Sequence, residues 1–330
     1  MSQAIAGSDH RVTLQDDPAL QEVEVLIDGK LFTKYIYRDN LEKPVLFPIY
    51  TLGNQLVTRG YPFVPVAGER TDHPHHLGLW FNYGDVNGLD FWNNSSAIPE
   101  DKKSKYGEIR HQRILRSQAG SGKGLLEVEA NWVSSTGQRL LVEKTTFVFS
   151  QRGSTRIIDR VSTLSAMEDV LFQDNKEGML GIRVTRSLEL PSEKPEIFTD
   201  AYGNPTNVKV LNNAGVSGDY LSSSGVTGGD VWGTRGEWMR LAGTIDGTEV
   251  AIAIIDHPKN PGYPTYWHAR GYGLFAANTL GQHAFDQSEQ LNFALEKGNS
   301  TTFSYRILFH DGSELTPGQI ENYRAEFIKD

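Results

Sequence analysis

The sequence predicts an all-β protein, a large antiparallel β-supersandwich with few helices. Three observations carry that prediction. Apolar and polar residues alternate with period two from one end of the chain to the other, the pattern of strands buried on one face. Turn signals separate these runs. Helix signals are nearly confined to the C-terminus.

The elements follow in order. Val23, Val25 and Ile27 alternate, and Asp28-Gly29 then offers a two-residue hairpin turn into Leu31–Tyr37. Leu126, Val128, Ala130 and Trp132 form a second alternating run, with Ser134–Gly137 as the turn into Arg139–Phe149. Ile182, Val184 and Leu188 come next, followed by Val250–Ile255 as a continuous buried run. Phe303, Tyr305, Ile307 and Phe309 form the last strand before His310-Asp311-Gly312. Thr316-Pro317-Gly318-Gln319 has the form of a capping box with proline at the first helical position, and Ile320, Tyr323 and Phe327 fall on one face of the helix it would start. No internal repeat and no Pro-, Gly- or Ser-rich linker divides the chain. The expectation is a flexible segment over residues 1–19 and a single sandwich domain over 20–330, ending in a helix at 317–328.

Composition narrows the function classes. With 330 residues, 38% of them hydrophobic, the chain has ample material for a core. A net charge of -9 argues against a nucleic-acid backbone or an anionic membrane as partner. No cysteine is present, which excludes thiol nucleophiles, disulfides and Cys-ligated metals. No apolar run is long enough to span a membrane. The start, Met1–Ser8, lacks a basic and apolar export signal. The compartment is therefore open: periplasmic if such a signal has been trimmed, otherwise cytoplasmic.

Three of the nine histidines fall within four residues, in Asp72-His73-Pro74-His75-His76. Histidine moves protons near neutral pH and binds metals. Pro74 makes Asp72–His75 a loop or the approach to a strand. From His76 onward, alternation sends Leu77, Leu79 and Phe81 to the core and His76, Gly78, Trp80 and Asn82 to the other face. An indole between a histidine and an asparagine suits a sugar ring, which stacks its C–H face and hydrogen-bonds through its hydroxyls. A second run, Pro264–Gly273, read as a strand, gathers Tyr266, His268, Arg270 and Tyr272 on one face, and Asn278 extends it. A third places Lys176 beside Glu177, with Arg183 following. If that segment lines a cleft, Glu177 is the natural general base and the cations steady developing negative charge. The bland alternatives are a self-satisfied polar network for the first two clusters and a solvated ion pair for the third. Trp232 and Trp238 form a weaker group that core packing explains equally well.

Other motifs fail. Gly120-Ser121-Gly122-Lys123-Gly124 lacks the upstream glycine and the Ser or Thr of a phosphate loop and reads as a hairpin tip. Asp72, His73, His75 and His76 have the donor types of a two-His, one-carboxylate site, but adjacent ligands on a proline-constrained loop rarely converge on one ion. No metal and no cofactor are expected.

At these motifs the chain resembles the DUF6807 family of unknown function, often filed under the name of a methane oxygenase. The resemblance rests on Asp72–His76 with Gly78–Phe81, Val86–Trp92, Lys176–Gly178 with Gly181–Arg183, Trp232-Gly233, Asp256-His257-Pro258, and Tyr266–Arg270 through Asn278. Leu77 departs from it, because the family is expected to carry arginine there. The polar clusters give no support to a methane oxygenase. The family is similar to sugar-active β-supersandwich proteins of the galactose mutarotase type, which implies a sugar held on one sheet face with His and Glu as acid and base.

The resulting expectation is a carbohydrate enzyme that cleaves a glycosidic bond by hydrolysis or elimination, including bonds in oxidised keto-sugar glycosides. Glu177 is the expected base, and His75, His76 or His268 the acid. Trp80, Asn82, Lys176, Arg183, Tyr266, Arg270, Tyr272 and Asn278 are the expected substrate contacts. The alternatives are an aldose mutarotase or epimerase, a non-catalytic carbohydrate-binding module, and a metal-dependent oxygenase. The expected partner is a small-molecule or oligosaccharide substrate, and no protein partner is inferable.

Overall fold

In the computed structural model, which describes residues 10–192, 194–208 and 212–329, the period-2 runs pair into antiparallel sheets. The first hairpins are β1 (Arg11–Asp17), β2 (Glu22–Ile27), β3 (Lys30–Ile36) and β4 (Val45–Ile49), followed by β5 (Leu79–Tyr83). Long strands come next: β6 (Gly107–Gln118), the short β7 (Gly120–Ser121), β8 (Lys123–Ser134), β9 (Arg139–Arg152) and β10 (Thr155–Ala166). The second half supplies β11 (Val170–Phe172), β12 (Gly178–Arg183), β13 (Asp219–Ser222), β14 (Trp238–Ile245) and β15 (Thr248–Asp256). It closes with β16 (Tyr266–Ala269), β17 (Leu274–Asn278), β18 (Phe293–Leu295), β19 (Ser300–Asp311) and the helix α1 (Pro317–Phe327).

A nine-stranded sheet has the order β16-β17-β12-β5-β4-β3-β2-β1-β7, and an eight-stranded sheet the order β13-β14-β15-β19-β10-β9-β8-β6. Between them lies the main core, with Val25, Phe32, Leu79, Phe81, Ile182 and Phe275 from the first sheet meeting Leu126, Phe147, Ile252, Ile307 and Phe309 from the second. Inward residues alternate with outward ones, as face-to-face sheet packing requires. The fold is the all-β antiparallel sandwich that the alternation predicts.

Local chemistry explains the connections. Asp28 and Gly29 have φ of 50° and 75°, the two left-handed positions of a type I′ turn, and Ile27 pairs with Lys30 across it. Gly122, at φ 79°, turns the rejected phosphate loop into a hairpin tip between β7 and β8. The capping box at Thr316 and Gln319 is formed, and α1 lays Ile320, Tyr323 and Phe327 against Ile157, Ala253, Ile255 and Leu308 on the outer face of the second sheet. Among the described residues, no helix is long and apolar enough to cross a membrane.

Three expectations need correction. Of the segment expected to precede the sandwich, residues 1–9 lie outside the described residues, while Arg11–Asp17 is a strand of the first sheet, paired along β2 and at its start with β7. Leu188 sits in a 3-10 turn rather than a strand, because β12 ends at Arg183. The run 264–273 is not one strand, since β16 stops at Ala269 and Arg270–Gly273 form the turn into β17. Gly273, at φ 89°, is the residue that makes this turn possible.

Candidate functional site

Helix α1 covers part of the second sheet's outer face, and the polar clusters gather on the outer face of the first. The register places Trp80 (β5), Gly181 (β12), Ala276 (β17) and His268 (β16) side by side in one row across four strands. Arg183 and Leu274 form the neighbouring row on one side, and Tyr266 and Asn278 pair on the other. The two small residues in the middle leave a low floor. A Cβ at Gly181 would come within 2.6 Å of the Trp80 ring and 3.0 Å of Trp92, so both indoles lie against that glycine. Three strand spacings separate Trp80 from His268, about 14 Å along the row.

At the Trp80 end the side chains form a closed network. Gly78, at φ 54°, bends the chain just before β5, and an added Cβ there would sit 2.9 Å from Phe47. The bend puts Leu77 in the outer cluster with Trp80, where simple alternation sends it to the core. The loop before it is clamped by Arg59, which donates to the carbonyls of Asp72, His73 and His76 and to the Asp72 carboxylate. Arg183 donates to Asp72 Oδ1 at 2.9 Å and to His76 Nδ1 at 3.0 Å. A guanidinium can only donate, so His76 accepts at Nδ1 and carries its proton on Nε2. Four rings then stack nearly parallel: Tyr272 on His73 at 5.4 Å, His73 on His76 at 4.9 Å, and His76 on Trp80 at 5.2 Å. Burial raises the Asp72 carboxyl, but His73 and the charges of Arg183 and Arg59 outweigh it and hold the group well below the usual carboxylate range. Burial, reinforced by neighbouring cations, pushes His75 and His76 well below the ordinary histidine value.

The His268 end is more open. Asn278, fully buried, donates to the Asn175 carbonyl and accepts from Gly281 N. Asn175 in turn accepts from Glu177 N, and Gly84 N donates to the Glu177 carbonyl. Asp174 accepts from the backbone of Gln282, His283 and Leu291, which ties down the loop that carries Phe285. These contacts present the Glu177 side chain to His268, with Oε2 3.6 Å from Nδ1. Lys176 pairs with the other Glu177 oxygen and is itself exposed. Burial, with the charges of Lys176 and Arg270, pushes His268 down to about 3, so its ring is neutral at neutral pH. Arg270 lies over the Trp232 ring at 4.6 Å, and Phe285 stands edge-on to Trp232 at 5.4 Å.

The expected site residues thus divide. Glu177, Arg270 and Tyr272 are half-buried and Lys176 exposed at one edge, with His268 buried beside Glu177. His76, Trp80, Asn82 and Arg183 are buried at the other end, where Asn82 donates to the Phe91 carbonyl at 2.6 Å. His75 is half-buried and stands edge-on to His76 at 4.3 Å. Tyr266 is buried under Phe285, which stacks on it at 5.3 Å. Tyr272 joins the two ends, because Arg183 sits 4.8 Å from its ring and the Glu177 charge acts on its hydroxyl. Sequence reasoning missed Arg59, Asp174, Asn175, Phe285 and Lys43. Lys43 is buried with no partner for its ammonium, 5.9 Å from the Trp80 ring, and burial lowers it to about 8. Among the described residues, no three His, Asp or Glu side chains are placed to hold a metal ion.

Fold and site together define an all-β sandwich protein with a polar His, Glu and Arg array on the outer face of one sheet. The chain belongs to the DUF6807 family of unknown function, which it matches over residues 22–325. No curated protein matches it. Among solved structures it is similar to a GH36 α-galactosidase, AgaB, from Geobacillus stearothermophilus, at 8% identity and a TM-score of 0.43, covering 91% of this chain and 41% of that one. A GalM/aldose epimerase homologue from C. elegans aligns at 9% identity and TM-score 0.34, covering 93% and 100%. The Slr1438 protein from Synechocystis sp. PCC 6803 aligns at 12% and 0.31, covering 95% and 100%. The chain therefore spans about two fifths of the galactosidase, 41% of its length. Scores this low carry no argument about activity.

Proposed function

We propose that this chain is an enzyme acting on carbohydrate, with Glu177 and His268 as its proton-transfer pair. One observation carries the reading: a carboxylate and a neutral imidazole face each other at 3.6 Å on the edge of the sheet face, beside Lys176 and Arg270. Tyr272, Trp232 and Phe285 add aromatic surface beside these polar groups, a combination that suits a sugar's apolar and hydroxyl faces. The motif resemblance to sugar-active β-supersandwich proteins points the same way.

The reaction that fits best is elimination at a keto-sugar glycoside. Glu177 removes the proton on the carbon next to the ketone, and Lys176 stabilises the enolate that forms. As substrate binding closes the 3.6 Å gap, the carboxylic acid passes that proton to one ring nitrogen of the neutral His268. The other ring nitrogen gives its own proton to the departing glycosidic oxygen, in step with C–O cleavage and C=C formation, so that no free imidazolium has to form. One proton is taken and one is returned, so no other reactant is required. His76, Trp80, Asn82 and Arg183 hold the floor on which this edge rests. The nearest second reading is a mutarotase or epimerase, which uses the same pair without releasing an aglycone.

Incubation with glycosides and their 3-keto forms, monitored for aglycone release and for exchange of the carbon-bound proton with deuterated solvent, tests this. The expected result is release from the keto forms, reduced about 100-fold or more in Glu177→Gln and His268→Ala. Exchange without release would favour the epimerase. Sugar binding with neither would make the protein a binding module.

A further inference from the structure

The turn between β16 and β17 has two sides. One bears on Glu177 and His268. On the other opens a cavity of about 390 Å³. Arg70, Arg186, Ser192, Asn213, Arg270 and Tyr272 contribute to its wall. The volume falls within the range of small-molecule pockets, which are usually more apolar than this one. Its charges are unevenly matched. Arg70 is held by both Glu189 and Glu196, and Arg186 by Glu189 and the Asn212 carbonyl. Arg270 has no carboxylate partner among the described residues, and its Nε is buried without an acceptor. Its guanidinium carbon instead lies over the Trp232 ring, 4.6 Å from the centroid, and the guanidinium makes no hydrogen bond among the described residues. Leu190 N donates to the Gly271 carbonyl, so the turn bearing Arg270 is fastened to the cavity's opposite wall.

We infer that this cavity is a second sugar subsite that accepts a carboxylate-bearing unit, with Arg270 as the group that binds the carboxylate. The inference rests on the proposed reading of the Glu177–His268 edge. The substrate class is an acidic oligosaccharide, with one unit at that edge and its uronic acid neighbour in the cavity. A guanidinium seated on an indole and unpaired among the described residues is matched to a planar carboxylate and wasted on a neutral hydroxyl. The chain's overall net charge of -9 makes such an arginine the more telling, since the general field repels an anionic ligand.

Calorimetric titration of the full chain with cellobiose, D-glucuronate and glucuronosyl-β-1,4-glucose tests this. The acidic disaccharide is expected to bind at least tenfold more tightly than either of the others, and the preference should weaken as salt rises from 0.05 to 0.5 M. Arg270→Gln should remove the preference, read as the ratio of the acidic to the neutral disaccharide's affinity in the same protein. Arg270→Lys, which keeps the charge and loses the fork, should restore part of it and guards against a folding defect in the first variant. Equal binding of the acidic and neutral disaccharides would overturn the subsite and leave the Glu177–His268 reading standing. Failure of all three to bind would also overturn the subsite, while the Glu177–His268 reading is decided separately by the keto-glycoside assay.

Discussion

The two ends of the His268–Trp80 row use the same kinds of residue to opposite effect. At the Trp80 end, Asp72 pairs with both Arg59 and Arg183, and His76 accepts from Arg183, with the two arginines and His76 almost wholly buried. The Nε of each arginine and the indole nitrogens of Trp80 and Trp92 nevertheless have no acceptor among the described residues. At the His268 end, a carboxylate faces an imidazole across 3.6 Å, too far for a hydrogen bond, and Arg270 has no acidic partner among the described residues. Unfilled donors occur at both ends, so the difference lies in how the Asp72 and Glu177 carboxylates are paired: one is clamped between two buried guanidiniums, the other meets an exposed lysine and a neutral ring. Residue type alone therefore says little about where chemistry occurs. The pairing and exposure of the charges say more.

The contrast is broken most forcefully at Arg183. Arg183→Met leaves the Asp72 carboxylate with less compensation and His76 Nδ1 with no donor. The expected loss is about 3–5 kcal/mol of stability, read from urea midpoints. A loss under about 1 kcal/mol would mean that the buried end is not the structural half.

Lys43 sharpens the same comparison from the opposite direction. Its ammonium is buried and unpaired, with a value near 8 in place of 10.5. Below pH 8 both folded and unfolded chains hold the proton, and the folded state bears the burial cost. Between pH 8 and 10.5 only the unfolded chain keeps the proton, so stability rises across that window. Lys43→Met should accordingly stabilise the protein by roughly 3 kcal/mol at pH 7, with the gain fading by about pH 10.5. A destabilised variant at pH 7 would show that the ammonium has a partner the geometry does not reveal.

Acid should act on both ends together. His75, His76 and His268 all titrate far below 6.5, so as pH falls through that value the unfolded chain takes up protons that the folded chain refuses. Stability then declines with falling pH, by about 1.4 kcal/mol per pH unit for each such histidine. Denaturation midpoints between pH 7 and 5 measure the slope. His76→Gln should remove one proton from it. An unchanged slope would place His76 in contact with solvent.

Much of this was legible in the sequence, for reasons that also mark the limit. Alternation found both hydrophobic faces and put Tyr266 and His268 on one side, because a strand's period is fixed by backbone geometry. It failed at Leu77 and at Arg270–Tyr272, where Gly78 and Gly273 adopt left-handed conformations and reset the direction of the chain. The meeting of Glu177 with His268 depends on Asn278 bonding to Asn175 across 103 residues of sequence. No local pattern encodes that distance. Arg59 was invisible for the same reason, since its partners are mostly backbone carbonyls, which carry no residue identity.

The smallest expected effect on stability is the sharpest test of the open end. Glu177→Gln removes one exposed ion pair with Lys176, and such pairs contribute about 0–1 kcal/mol. Its urea midpoint should therefore stay close to that of the unaltered chain even as turnover is lost. His268 should also keep its low titration point in this variant, because burial and the charges of Lys176 and Arg270 set it. Nitrogen NMR of the ring reads this directly. Removing a nearby negative charge can only lower the value further, so a ring still neutral at pH 5 is expected in both proteins. An unaltered chain whose His268 titrates near 6.5 would mean that water and substrate reach the imidazole freely. In that case the water-excluded setting of the pair would have to be abandoned, although a ring titrating there is still mostly neutral at pH 7 and could take part in the relay.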